Sequence, residues 1–131
     1  MYSDKNYFLT KIKLEELNNL TETSDSNLND AIAAADSLID GYLKKVVKTL
    51  PLNPVPEIIK QTSYQIALYF LHDRIQYSDI PERVALNYDN AISFLIDVAS
   101  GKANIHVVDD ANLNPQIEFE TDENVFNRES F

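Results

Sequence analysis

The chain has 131 residues, of which 44% are hydrophobic, a composition and length that predict one soluble globular domain with an appendage. The absence of cysteine excludes disulfides, thiolate zinc sites and cysteine nucleophiles, and a net charge of −10 argues against binding nucleic acid by neutralising its phosphates. With only 2 glycines, the sequence also disfavours a turn-rich β fold and a glycine-rich phosphate loop.

The first predicted elements are short. Residues 1–12 have a mixed pattern and are expected to be extended or irregular. Residues 13–20, KLEELNNL, predict a short helix, because leucines recur on one side of it. The polar residues 21–27 predict a loop that ends with good helix-capping residues.

A longer helix is predicted from about Leu28 to Val47, since apolar residues repeat there every three or four positions. Gly41 inside this helix costs up to ~1 kcal/mol relative to alanine. We expect the reason to be close approach of another backbone, from the same chain or from a neighbouring subunit.

The only basic cluster, Lys44, Lys45 and Lys48, lies where this helix ends. Two readings stay open at this point. The three cations are either solvated side chains near the negative pole of the helix dipole, or they contact an acidic protein neighbour, which could include the tail of an adjacent copy.

A proline-spaced bend follows at Pro51, Pro54 and Pro56, because each proline keeps the residue before it out of the α region. The next helix is predicted from about Pro56 to Tyr77. Its apolar residues point in too many directions for a one-sided surface helix, which predicts a central helix buried by several partners.

The last predicted helix opens at Asp79-Ile80-Pro81-Glu82, a pattern close to a capping box. Its apolar stripe is regular, and Gly101 is expected to end it as a C-terminal cap. Together these elements predict a mainly α protein, a compact bundle of about four helices around a long buried central helix, in a domain covering residues 1–102.

Residues 103–131 form the predicted tail, which carries 7 acidic residues and one base, Arg128. The runs 105–108 and 117–120 have the composition of short β-strands, and a pair of them would be marginal alone in water. We therefore expect this acidic tail to be flexible in the free monomer and to order only against a partner, for example by strand addition.

Candidate partner or subunit contacts have one of four properties: an aromatic side chain near a chain end that is hard to bury, the glycine inside the long helix, a lysine of the cluster where that helix ends, or an apolar side chain in the tail. They are Tyr2, Tyr7, Phe8, Gly41, Lys44, Lys45, Lys48, Ile105, Val107, Ile117, Phe119 and Phe126.

Nothing in the sequence predicts a catalytic site, a cofactor or a metal. An enzyme would have to rest on His72 and scattered carboxylates, and no further ligands are spaced to converge on His72; we expect Arg74 to pair with a carboxylate instead. No secretory signal is visible and no apolar run approaches the ~20 residues that span a bilayer. These observations predict a soluble cytoplasmic protein with no membrane contact.

A set of short motifs in fixed order resembles the Mu-like prophage head–tail connector family of tailed bacteriophages over roughly residues 2–105. The motifs are Tyr2, Leu20–Thr21, Ala35–Leu43, Leu50–Leu52, Pro54–Pro56, Ala67–Tyr69, Asn87–Ala91, Phe94–Leu95, Asp97–Ala99 and Gly101–Lys102. The tail beyond His106 contributes nothing to this resemblance.

The resemblance implies a structural subunit without catalytic site or cofactor. Such subunits, which can be monomers in isolation, would dock as a homo-oligomeric ring of about a dozen copies beneath the portal protein. The ring would extend the DNA channel without sequence-specific binding of the DNA. It would also contact a tail-completion protein in the virion neck. An alternative rests on the composition break after Lys102: a helical adaptor or regulatory module that binds one protein through its C-terminal tail.

Overall fold

The computed structural model describes residues 1–76 and 78–105, and these residues form five α-helices and no strand. In chain order the helices are α1 Lys5–Leu9, α2 Leu14–Thr21, α3 Asp25–Leu43, α4 Glu57–Asp73 and α5 Glu82–Ala99. The predicted mainly α fold is confirmed. The predicted strand runs of the tail lie outside the described residues, apart from Ile105.

Helix α1 shows that the prediction of an irregular segment over residues 1–12 is wrong. The helix begins because the carboxylate of Asp4 accepts a hydrogen bond from the backbone N–H of Tyr7 at 2.8 Å. It is held because the fully buried ring of Phe8 packs edge-on against Tyr64, with ring centroids 4.9 Å apart. A helix of 5 residues is too short to show a period in the sequence.

Helix α2 agrees with its prediction to within one residue, and α3 is displaced at both ends. Helix α3 begins at Asp25, three residues before the predicted Leu28, because the hydroxyl of Ser24 accepts the N–H of Asn27 at 3.2 Å. It ends at Leu43, before the predicted Val47, whose N–H still bonds to the Leu43 carbonyl in a following turn.

Helix α4 is the central element, as predicted, because it packs against α2, α3 and α5. Its fully buried side chains include Ile59, Ile66 and Leu71. It ends at Asp73, short of the predicted Tyr77, which lies outside the described residues.

The three long helices alternate in direction. One hydrogen bond joins Asp36, in the middle of α3, to Ser63 of α4. A second joins Leu20, before the start of α3, to Arg74, after the end of α4. Because the start of α3 lies beside the end of α4, the two helices are antiparallel. Helix α5 returns along α4, with the rings of Tyr69 and Tyr88 stacked at 4.0 Å. The ends of α3 and α5 and the start of α4 consequently lie at the same end of the bundle.

Helix α5 begins at Glu82 with Pro81 in the capping position and no side-chain cap, so the predicted capping box at Asp79 is wrong. The helix ends as predicted. Gly101 has φ +86, its N–H bonds to the Val98 carbonyl at 3.1 Å, and the N–H of Lys102 bonds to the Asp97 carbonyl at 2.8 Å. These two bonds are those of a Schellman motif.

The chain after this motif stays against the bundle as far as it is described. Ala103 and Ile105 are partly buried and pack on the hydrophobic core. The division into domains at residue 102 stays a prediction. Within the described residues, no helix is long and apolar enough to cross a membrane.

Candidate interaction surfaces

A network of buried and partly buried polar groups, here called the N-terminal network, connects the start of the chain to the bundle. Its members are Tyr2, Ser3, Asp36, Asp40, Leu52 and Ser63. The Tyr2 ring is 4% exposed, and its hydroxyl donates to the Asp40 carboxylate while accepting the backbone N–H of Leu52 at 2.9 Å. One tyrosine therefore connects the N-terminus, α3 and the proline-rich segment.

The carboxylate of Asp36 is the centre of this network. Its Oδ2 accepts the N–H of Tyr2 at 2.9 Å and its Oδ1 accepts the hydroxyl of Ser63 at 2.8 Å; Ser63 in turn contacts the hydroxyl of Ser3 at 2.8 Å. Burial raises the pKa of Asp36, while the hydrogen bonds from Tyr2 and Ser63 oppose that rise because they favour the charged form.

We expect Ser63→Ala to raise the pKa of Asp36 further, because it removes one hydrogen bond to the carboxylate. A folded-state pKa above the ordinary value of 3.8 means that the Asp36 contribution to stability is largest below that value and is lost as the pH rises through the folded pKa. Titration of the Asp36 carboxyl carbon by NMR measures the shift. Ser3→Ala is the matched control, since Ser3 touches Ser63 but not Asp36; an equal shift in both variants would contradict the assignment.

The aromatic residues predicted as partner contacts are mostly used within the fold. Tyr2 and Phe8 are buried, so the expectation that they are hard to bury is wrong. Tyr7 is partly buried, and its hydroxyl donates to Glu57 at 3.0 Å. Burial, together with that carboxylate, raises the pKa of Tyr7 to about 12. Contact of Tyr7 with a partner stays a prediction; full burial disfavours such contact for Phe8.

No contact within the chain explains why a glycine, which lowers helix stability, occupies position 41 of α3. Gly41 is exposed, and a Cβ built on it meets no atom within 4 Å. The expected approach of another backbone from the same chain is therefore wrong, because Gly41 lies on the solvent side of α3. It shares that side with exposed Ala33 and Ser37, each four residues apart. Contact with a neighbouring subunit stays a prediction.

Replacing each of the two glycines with alanine is expected to change the stability of the monomer in opposite directions. Gly41→Ala is expected to stabilise the monomer by up to ~1 kcal/mol, because it adds helix propensity in open space. Gly101→Ala is expected to destabilise it by ~1–2 kcal/mol, because an alanine there must adopt the left-handed conformation. Urea unfolding measures both, and a destabilising Gly41→Ala would show that the glycine has an intramolecular role.

Lys44, Lys45 and Lys48 are all exposed at the end of α3. The ion pairs found among residues 1–76 and 78–105 join Lys5 to Asp25 at 3.1 Å and Arg74 to Glu22 at 3.4 Å, and neither includes this cluster. Both readings of the cluster therefore stay open.

Arg74 pairs with a carboxylate, as predicted, and that carboxylate belongs to Glu22. The Nη1 of Arg74 also donates a hydrogen bond to the Leu20 carbonyl at 3.3 Å. The bond lies beside the turn at Glu22 and Thr23, which adopt φ 56 and 59. The guanidinium thus satisfies a carbonyl left free at the end of α2.

His72 is partly buried, and burial lowers its pKa. It borders a cleft of about 400 Å³ that is also lined by Asp73, the last residue of α4, and by the segment that joins α4 to α5. No group of three or more potential metal ligands occurs in the part of the chain that the structure describes.

Of the contact residues predicted in the tail, the structure describes only Ile105. Ile105 is partly buried on the core. Val107, Ile117, Phe119 and Phe126 lie outside the described residues, so their contacts stay predictions.

Comparison with known families accounts for most of the chain. A family model described as Bacteriophage Mu, Gp36 matches residues 2–121. The chain belongs to the bacteriophage Mu Gp36 family. The resemblance found in the sequence is confirmed, and it extends beyond residue 105, where the motifs ended, to residue 121. The expectation that nothing aligns after His106 is therefore wrong.

Membership in the Gp36 family makes this a Mu-like phage protein and suggests a structural one, which also suggests that it is not an enzyme. A comparison with curated proteins gives no significant match. The Gp36 match begins at Tyr2, the residue whose hydroxyl holds α3 and the proline-rich segment together.

Proposed function

We propose that this chain is a head–tail connector subunit. Copies of it form a ring between the portal protein and the tail of a phage or prophage particle, extend the DNA channel, and present a surface to a tail-completion protein in the virion neck. The match of residues 2–121 to the Gp36 family is the observation that carries the proposal. The subunit acts by shape, without catalytic group, cofactor or metal.

The outer face of α3 supports this proposal as the place where subunits meet. Ala33, Ser37 and Gly41 expose only small side chains along it, over two turns of a helix that is packed on its other side. Small residues allow another helix or backbone to approach closely. A glycine that costs stability in the monomer, with open space around it, is consistent with such a contact.

Mixing the chain with the portal protein of the same particle tests the proposal. Light scattering is expected to show a complex whose mass corresponds to a ring of about a dozen subunits on the portal. A chain that stays monomeric and ignores the portal would contradict the proposal.

A chain ending at Ile105 separates this function from the alternative adaptor that binds through its tail. The helical body ends in the packed residue Ile105, so we expect the truncated chain to keep the described fold. If the connector proposal holds, ring contacts through the helical body survive the truncation. If the adaptor alternative holds, all partner binding is lost.

A further inference from the structure

One end of the bundle carries a cluster of exposed lysines. We call it the lysine end and define it as residues 41–56 and 98–105, which meet where α3 and α5 finish and α4 starts. These residues include four of the ten basic residues in the range 1–105 and none of its fourteen acidic ones. The lysines are Lys44, Lys45, Lys48 and Lys102, and all are exposed.

The carboxylates nearest in sequence to the lysine end either accept hydrogen bonds from tyrosine hydroxyls or are partly buried. Asp40 accepts the Tyr2 hydroxyl and Glu57 accepts the Tyr7 hydroxyl. Asp97 is partly buried in the last turn of α5. Apolar surface lies among the lysines, since Val46 is 48% exposed. The surface therefore suits a ligand that is acidic and carries apolar side chains.

The rest of this chain has that chemistry. Residues 106–131 contain seven acidic residues and one base, and the acids of 117–120 alternate with Ile117 and Phe119. The sequence continues into them from Ile105, which is packed at the lysine end. At ~3.3 Å per extended residue, the thirteen steps to Glu118 span ~43 Å, more than the ~28 Å length of a nineteen-residue helix such as α3.

We propose that the acidic segment 109–123 docks on the lysine end of its own subunit, with its carboxylates beside the four lysines and its apolar side chains over Val46. Tethering favours the same chain over a second copy, because a short linker gives an effective concentration on the order of millimolar. The inference does not depend on ring assembly. It makes the lysine end of a free subunit a covered surface that an assembly partner must compete for.

A spin label tests the docking in the full chain. The protein has no cysteine, so Thr121→Cys gives one attachment site within the acidic segment. A nitroxide there is expected to broaden the backbone amide signals of residues 43–49 and 101–103 in NMR spectra at ~0.01 M salt, and the broadening should be lost at ~1 M salt, where the Debye length falls from ~30 to ~3 Å.

Charge variants give the matched comparison. Replacing Lys44, Lys45 and Lys48 with glutamine is expected to remove most of the broadening at residues 43–49. Replacing exposed Lys11 and Lys13 with glutamine should leave it unchanged. Circular dichroism melting confirms that each variant folds, since all five side chains are exposed.

Three results would overturn the proposal. The first is broadening that is equal over the whole surface or unchanged by salt. The second is equal loss of broadening in both sets of lysine variants. The third is broadening that persists when an isotope-labelled chain without the nitroxide is mixed with an unlabelled chain that carries it, because this would assign the docked segment to a second copy.

Discussion

Tyr2→Phe is expected to lower the free energy of unfolding by about 1–3 kcal/mol, the range found when a buried hydrogen-bonding group loses its partner. The substitution keeps the ring and removes only the hydroxyl. It leaves the carboxylate of Asp40 and the backbone N–H of Leu52 without their bonds to that oxygen. Urea unfolding followed by circular dichroism measures the change.

Tyr69→Phe is the control for this prediction. Among the described residues, the tyrosine hydroxyls that form hydrogen bonds are those of Tyr2 and Tyr7, whereas Tyr69 contributes a stacked ring. A loss below about 0.5 kcal/mol is expected for the control. If Tyr2→Phe costs no more than Tyr69→Phe, the N-terminal network does not stabilise the bundle.

Ser37→Arg is expected to abolish ring assembly while leaving the subunit folded. Ser37 is exposed at the middle of the small-residue face of α3, and arginine is a good helix former, so the stability of the monomer should change by less than about 0.5 kcal/mol. A long charged side chain there prevents another subunit from approaching the face. Sedimentation of the variant with the portal protein measures assembly.

The matched control is Ser93→Arg. Ser93 is also an exposed serine within a long helix, α5, and Asp89 and Asp97 lie one turn away on either side of it. It should assemble like the unmodified chain. Assembly by Ser37→Arg with failure by Ser93→Arg would move the subunit contact from α3 to α5.

The parts of the fold that were predictable are those with a repeating signal. The lack of a single apolar face on α4 predicted a central helix, and the structure surrounds it with α2, α3 and α5. The glycine after the regular stripe of α5 predicted its end, and Gly101 has the required φ of +86.

The parts that were missed depend on single contacts. Helix α1 rests on the cap from Asp4 and the burial of Phe8, neither of which produces a period in the sequence. Helix α3 continues in pattern to Val47 but ends at Leu43, where the turns before the proline-rich segment begin. Tertiary context decided these boundaries.

The N-terminal network was the largest omission. Asp36 and Asp40 are one turn apart, which in an isolated helix is a repulsive spacing. The one available signal was that Asp36 adjoins the apolar stripe of α3 at Ala35, so a carboxylate there needs donors when the helix packs. Its donors come from Tyr2 and Ser63, residues 34 and 27 positions away in sequence. Local patterns do not reveal pairs at that separation.

Electron microscopy of the neck of purified particles tests the connector function most directly. We predict a ring of this chain between the portal and the tail, with the outer face of α3 at the contact between neighbouring copies. Particles with a complete neck that lack the chain, or that hold it outside the axis of the DNA channel, would contradict a connector function.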